Sequence, residues 1–181
     1  MNQLSTAVRY NGVSKTLHWV IALLAFSQLA MGKFFEVEAD ESDSLFDWHT
    51  ALGLLVLALM VVRLVWRLTH TVPALPQNTP GWQQVAAKAT HIAFYVLLIA
   101  LPITGWLLTS VDGDTVSFFG WFPVPSLPIS GSDETGDLIG EIHELLGNVL
   151  LVLAGIHVVA GLKHHYIDRD DVLRRMMPGT D

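Results

Sequence analysis

Cysteine is absent from this chain of 181 residues, and charged residues make up only 15% of it. The lack of cysteine excludes disulfides, thiolate metal sites and iron–sulfur clusters. The charged fraction is well below the roughly 25% usual for soluble domains, whereas 51% of the residues are hydrophobic. The ten basic residues form no stripe with interleaved aromatics, so nothing indicates nucleic-acid binding. The composition therefore predicts a membrane protein.

Four apolar stretches are long enough to cross a bilayer, which takes about 20 residues. They lie at about 16–34, 48–68, 89–111 and 138–163. None alternates as a strand would, so we expect helices. The chain 1–181 is therefore predicted to be one membrane-embedded domain of the all-α class, a four-helix bundle. The first stretch also resembles a signal peptide, but no clear cleavage site follows it, and cleavage would remove His18.

The charged residues are divided between the two ends of the predicted bundle. We call the basic-rich end the inner end and the acidic-rich end the outer end. By the positive-inside rule, both termini are predicted to be cytoplasmic. Nine of the ten basic residues lie at the inner end, and Lys33 lies at the outer end. The inner basic residues are Arg9, Lys15, Arg63, Arg67, Lys88, Lys163, Arg169, Arg174 and Arg175. The outer acids are Glu36, Glu38, Asp40, Glu41, Asp43, Asp47, Asp112, Asp114, Asp133, Glu134 and Asp137.

Two further segments are expected at the membrane interfaces. The outer loop 112–136 is rich in glycine, proline and aromatic residues, and aromatic side chains favour the interface. The tail from His164 contains "DDVLRRMM", which we expect to form a short interfacial helix.

Four histidines pair by depth when each is placed on its span. His18 and His157 lie toward the inner end, whereas His49 and His143 lie toward the outer end. His143 and His157 are fourteen residues apart on one span. That spacing separates them by about 21 Å along a helix and returns both to nearly the same face. One helix is thus predicted to offer an imidazole to each of two sites stacked across the membrane.

Two facing imidazoles in a helix bundle suit an iron porphyrin with both axial positions filled. Zinc would need four ligands, and only two are predicted at each level. Without cysteine, a haem cannot be attached through a C-x-x-C-H motif, so it would be held non-covalently. A single intramembrane histidine is more often a proton relay or an interhelical hydrogen bond. Four that pair by depth favour metal ligation.

Small residues follow the four proposed ligands by one helical turn. Glycine costs about 1 kcal/mol relative to alanine inside a helix, so its recurrence calls for a reason. We interpret it as room for a flat macrocycle, although small residues are common at membrane-helix contacts in any case. The residues are Gly53 after His49, Gly147 after His143, Gly161 after His157 and Ala22 after His18.

Haem propionates need cations, and three basic side chains are candidates. Arg63 lies fourteen residues after His49, which brings it to the same helix face at the inner level, and Arg67 follows one turn later. Either can instead be a charge that only sets topology. Lys33 is the basic residue available at the outer level. His91 is not needed as a ligand and could bond a propionate, line a quinone pocket or bond a neighbour. The remaining histidines are expected at inner helix ends, namely His70, His164 and His165.

The sequence resembles the bacterial cytochrome b561 family over nearly its whole length. The matching stretches are "TLHW", "WHTALGLLVLALMVVRLVWRL", "THIAFYVLLIALPITGW", "IHELLGNVLLVLAGIHVVAGLKHHY" and "LRRMMP". The resemblance implies a four-helix bundle of the bacterial inner membrane with two haems b stacked between the helices. It implies ligation of one haem by His18 with His157 and of the other by His49 with His143. It also implies electron exchange with ubiquinone, and at least one member resembles a superoxide oxidase that takes electrons from periplasmic superoxide.

Three functions are open at this level. One is a quinone-linked oxidoreductase with superoxide as a candidate donor. Another is a non-enzymatic electron-carrier subunit between quinone and a soluble redox partner. The first outer loop, "KFFEVEADESDSLFDWH", is strongly acidic, which disfavours guidance of the superoxide anion and suits a basic soluble partner. The third function, a purely structural or transport bundle, predicts no haem.

Overall fold

Four helices make up most of the described structure. The computed structural model describes residues 9–34, 44–75, 79–129 and 131–179. The helices are α1 (Gly12–Phe34), α2 (Ser44–Thr69), α3 (Gly81–Val111) and α4 (Asp133–Lys163). Each is long and apolar enough to cross a membrane. The predicted fold, an all-α membrane bundle of four helices, is confirmed.

Each helix begins before the apolar stretch that predicted it. The largest difference is in α3, which begins at Gly81 directly after Pro80, whereas its apolar stretch begins near residue 89. Hydropathy marks only the part of a helix that suits hydrocarbon, while backbone hydrogen bonding continues into the polar interface. The helices are therefore longer than the spans.

Helices adjacent in sequence pack against each other, whereas the first and last helices, α1 and α4, contact each other much less. One cluster of the buried core consists of Ile21, Val56 and Met60, contributed by α1 and α2. These residues follow His18 on α1 and His49 on α2, so this cluster lies at levels between the two predicted sites. Many other apolar side chains are exposed, including Leu68 at 77%, as expected for surfaces that face lipid tails.

The outer loop contains a small antiparallel hairpin that the sequence did not predict. Strand β1 (Val116–Phe118) pairs with β2 (Phe122–Val124). The turn uses positive φ angles at Phe119 (52°) and Gly120 (73°). Such a turn matches the right-handed twist of the paired strands. Val116 is buried, whereas Trp121 at the turn is 78% exposed.

The tail differs from the short helix expected from "DDVLRRMM". A π-helical turn covers His164–Asp168, and a 3-10 turn covers Arg174–Met176. Between them, Arg169 has a left-handed backbone with φ of 54°. This turn sends the tail back across the inner end of the bundle.

Candidate haem-binding sites

The outer histidine pair lies between α2 and α4. The ring centroids of His49 and His143 are 6.2 Å apart, with an angle of 72° between the ring planes. A cavity of about 520 Å³ adjoins both rings, which is within the range of about 300–1,000 Å³ for ligand pockets. Its lining is mostly apolar and includes Gly32, Gly53, Gly105, Gly140 and Gly147.

The inner level brings together three histidines, one more than the sequence paired. The His18 and His157 ring centroids are 6.3 Å apart at 72°. His91 on α3 lies almost as close to His157, at 6.4 Å and 69°. Ring spacing alone therefore does not choose between His18 and His91. His18 stays the predicted partner of His157, and His91 is an alternative that the ring spacing fits equally well.

The ring spacing at both levels fits a metal with two axial imidazoles. A metal–imidazole bond is about 2 Å long, and a ring nitrogen lies about 1 Å from its centroid. Two imidazoles on opposite sides of one iron therefore have centroids about 6 Å apart. The observed 6.2 Å and 6.3 Å match this separation. The residues present thus fit the haem ligation expected from the sequence.

The three glycines proposed to make room have different surroundings. A Cβ built on Gly147 meets nothing within 4 Å, and Gly147 lines the outer cavity. Gly53 also lines that cavity, but its Cβ would be 3.1 Å from Nε2 of Gln28. At Gly161 the nearest atom is Cδ1 of Leu173, at 3.8 Å. Gly161 therefore lies beside the returning tail, which hydropathy could not reveal.

The two outer histidines have different hydrogen-bonding environments. The Nδ1 atom of His143 is 2.9 Å from Oγ1 of Thr104. His49 instead receives a hydrogen bond at its backbone carbonyl, from Nε2 of Gln28 at 2.8 Å. Among the described residues, Nδ1 of His49 and Oε1 of Gln28 are buried without hydrogen-bond partners. The outer site thus has one histidine with a ring partner and one without.

The candidate cations lie where the sequence placed them. Nη2 of Arg63 is 3.4 Å from Nδ1 of His18, so Arg63 reaches the inner histidines. Arg67 stacks over the ring of Tyr95 at 5.8 Å. Lys33 lines the outer cavity and forms an ion pair with Glu144 at 3.0 Å.

The remaining histidines lie at inner helix ends, as expected. His70 stacks on Trp66, with centroids 3.7 Å apart, and His165 contacts the ring of Tyr166. His164 bonds Asp170 at 2.6 Å. His164, Asp168 and Asp170 could together offer three metal ligands. However, the ammonium of Lys163 already neutralises Asp168 at 2.5 Å.

The tail is held against the inner end of the bundle by two long-range hydrogen bonds. Nε1 of Trp19 donates to the carbonyl of Met176 at 2.8 Å. Nη1 of Arg175 donates to the carbonyl of Ala74 at 2.7 Å. Trp19 directly follows His18, and the two rings contact each other with centroids 5.4 Å apart. The tail therefore covers the inner end of α1 near the inner histidines.

Sequence reasoning missed Thr104 and Gln28 and left His91 open among three roles: a propionate partner, a quinone-pocket residue or a hydrogen-bond partner of a neighbour. Thr104 and Gln28 approach histidines on other helices. No periodicity along the chain signals such contacts. The approach of His91 to the inner pair could have been predicted, because its position near the inner start of the third span places it at the depth of His18 and His157.

Four helices long and apolar enough to cross a membrane, with two histidine pairs each spaced for one metal, are the arrangement expected of membrane-embedded b-type cytochromes. The chain belongs to the prokaryotic cytochrome b561 family, which matches it over residues 9–179. Family membership supports b-type haem binding and a role in membrane electron transfer.

Similar curated proteins agree with this assignment. "Cytochrome b561 homolog 2" of Escherichia coli K12 is 34% identical, covering 98% of this chain and 95% of the relative. "Cytochrome b561 homolog 1" of the same organism is 32% identical, covering 93% and 98%. "Probable superoxide oxidase CybB" of Yersinia pestis is 30% identical, covering 94% and 96%.

Proposed function

We propose that this protein is a two-haem b-type cytochrome that carries electrons between a donor at its outer end and ubiquinone in the membrane. The carrying observation is the repeated ring geometry on α4, where His143 and His157 each face another helix's imidazole at 6.2 Å and 6.3 Å. We assign His49 with His143 to one haem and His18 with His157 to the other. When bound, each haem b would supply reversible one-electron transfer.

The chain's own residues hold the two sites apart and shield them. His143 and His157 lie on one continuous helix, so its rise sets them about 21 Å apart along the axis. The apolar cluster of Ile21, Val56 and Met60 lies between the two levels.

Arg63 is proposed to hold a propionate of the inner haem. Its guanidinium has only donors, and an imidazole that binds iron through Nε2 carries its hydrogen on Nδ1. Nη2 of Arg63 lies 3.4 Å from Nδ1 of His18. If His18 binds iron through Nε2, both of these groups are donors, and no hydrogen bond can form between them. A carboxylate within reach is the better partner for Arg63.

Haem content tests the ligand assignment directly. The wild-type protein should bind two haems b per chain, measured as pyridine haemochrome against protein concentration. His143→Ala and His157→Ala should each remove one haem, whereas His70→Ala, an exposed histidine stacked on Trp66, should retain both. A colourless wild-type protein would refute the proposal. Loss of the inner haem in His91→Ala but not in His18→Ala would reassign the inner pair.

The donor is proposed to be either superoxide or a basic soluble redox protein. A relative bears the name "Probable superoxide oxidase CybB", which supports superoxide. The structure gives specific support to the second candidate, a carrier subunit. Asp112, Asp114, Asp133 and Asp137 lie close enough at the outer end for their charges to interact. Lys33 at the cavity is neutralised by Glu144. This arrangement repels anions and attracts cationic proteins.

Rapid mixing distinguishes the two donors. In the superoxide reaction, two superoxide anions would each lose one electron and form dioxygen. One ubiquinone would take up both electrons with two protons and form ubiquinol. Fast haem reduction by generated superoxide, followed by reoxidation on adding a soluble quinone, supports the oxidase. Slow reduction by superoxide, with fast salt-sensitive reduction by a reduced basic cytochrome, supports the carrier subunit.

We further propose that the protein lies in the bacterial inner membrane with both termini in the cytoplasm, since nine of ten basic residues lie at the inner end. The absence of native cysteine makes labelling simple. Trp121→Cys in the outer hairpin should react with an impermeant maleimide in cells with a permeabilised outer membrane. Gly179→Cys in the tail should react only after lysis. The opposite pattern would invert the topology.

A further inference from the structure

Thr104 on α3 makes two hydrogen bonds through a single hydroxyl group. Its Oγ1 is 2.8 Å from the carbonyl oxygen of Leu101 and 2.9 Å from Nδ1 of His143. A hydroxyl has one hydrogen to donate and lone pairs with which to accept. A carbonyl oxygen can only accept, so the Thr104 hydrogen goes to Leu101. Both contacts can therefore be hydrogen bonds at once only if the hydroxyl accepts from Nδ1–H of His143.

The direction of this bond determines the tautomer of His143. If Oγ1 accepts, Nδ1 of His143 carries the hydrogen, and Nε2 keeps its lone pair. That is the state in which an imidazole binds a metal through Nε2, and a bond to the opposite nitrogen also fixes the orientation of the ring. Thr104 therefore prepares His143 for ligation before any cofactor arrives.

The neighbouring residue allows this close approach of α3 to the His143 ring. A Cβ built on Gly105 would lie 3.3 Å from Cε1 and 3.6 Å from Nδ1 of His143. Any larger residue at 105 would press on the ring. Thr104 thus holds the ring from the side of Nδ1 while Gly105 leaves space for it.

We infer that Thr104 is a positioning residue for the outer haem, acting through the Nδ1–H tautomer and ring orientation of His143. The inference rests on the proposed ligation of that haem by His143. His49 provides the contrast, because its Nδ1 is buried without a partner among the described residues. A hydrogen bond at Nδ1 makes the imidazole a more basic ligand, which stabilises the oxidised iron. Loss of the Thr104 hydroxyl should therefore raise the midpoint potential of the outer haem.

Three substitutions test this role. Thr104→Val keeps the shape and removes the hydroxyl, and Thr104→Ser restores a hydroxyl. Thr69→Val is the matched control, because the Thr69 hydroxyl on α2 makes the same kind of back-bond, to the Val65 carbonyl at 2.9 Å, while Thr69 is exposed and is not among the residues lining the outer cavity. The readouts are a redox titration that resolves the two haems, the low-spin electron paramagnetic resonance signals and the haem content. His143→Ala identifies which signals belong to the outer haem.

Thr104→Val is expected to raise the outer midpoint potential and to weaken outer haem retention by about tenfold. The inner haem should be unchanged, and Thr104→Ser and Thr69→Val should resemble wild type. Wild-type potentials and signals in Thr104→Val would overturn the inference, as would equal changes in Thr69→Val or no rescue by Thr104→Ser. If His143→Ala retained both haems, the ligand assignment itself would fail, and the inference with it. Because His143→Ala tests the ligand assignment without changing Thr104, failure of that assignment can be distinguished from failure of the role inferred for Thr104.

Discussion

The Gly147→Leu substitution is expected to have opposite effects on two quantities: the stability of the haem-free protein and the amount of haem that the protein binds. A Cβ at residue 147 meets nothing within 4 Å, so a larger side chain creates no clash with described protein atoms at that point. Replacing a mid-helix glycine with a good helix former stabilises the helix by about 1 kcal/mol, or about fivefold in the folding equilibrium. The haem-free protein should therefore become slightly more stable.

The effect on haem content should have the opposite sign. Gly147 lines the outer cavity of about 520 Å³, one turn after His143. If a macrocycle occupies that cavity, a leucine side chain takes part of its space. We expect the haem content to fall from about two to about one per chain, with the inner haem spectrum unchanged.

Gly155→Leu is the matched control for this substitution. Gly155 lies on the same helix, its Cβ also meets nothing within 4 Å, and it is exposed and not among the residues lining the outer cavity. This variant should retain both haems while gaining similar helix stability. The measurements are pyridine haemochrome content and the thermal midpoint of the haem-free protein in detergent. Retention of both haems by Gly147→Leu, or loss of one by Gly155→Leu, would refute the haem-packing role of Gly147.

Three further predictions concern the two ends of the bundle. Trp19→Phe removes the donor to Met176 and should destabilise the tail by about 0.5–1 kcal/mol, seen as faster tryptic cleavage there; an unchanged rate would contradict it. Glu144→Gln leaves Lys33 unneutralised and should raise the rate of haem reduction by superoxide at low salt and lower the rate by a basic cytochrome. If both rates of haem reduction were the same in Glu144→Gln as in the wild type, the Lys33–Glu144 pair would have no part in selecting the donor. Partial burial and nearby carboxylates raise the pKa of Asp112, so the folded state disfavours its charge, and stability falls as pH rises through this pKa. Asp112→Asn should therefore raise the thermal midpoint near pH 7 and leave it unchanged near pH 3; a gain at both pH values would point to another cause.

The depth of each histidine could be predicted from the sequence. Hydropathy places each span across the bilayer, and helical rise converts residue number into depth. This reasoning paired His49 with His143 and His18 with His157. The structure places those rings 6.2 Å and 6.3 Å apart. Their role as ligands stays a prediction, because spacing shows fit and not occupancy.

Contacts between helices could not be predicted in the same way. The approach of His91 to His157, of Thr104 to His143 and of Gln28 to His49 depends on how each helix is rotated about its axis. The spans are apolar on nearly every face because lipid surrounds them, so the sequence carries little information about rotation. For the same reason, the sequence could not indicate that α1 and α4 make few contacts with each other.

The amino-acid sequence by itself determined the membrane class, the number of helices, the unequal charge of the two ends and the depth of the histidines. These properties follow from transfer of residues between water and lipid, which depends on composition along the chain. Only the tertiary structure decided which histidines face each other, which hydroxyl contacts His143 and how the tail crosses the inner end. Those features depend on side-chain packing and hydrogen bonds between segments that lie far apart in the chain.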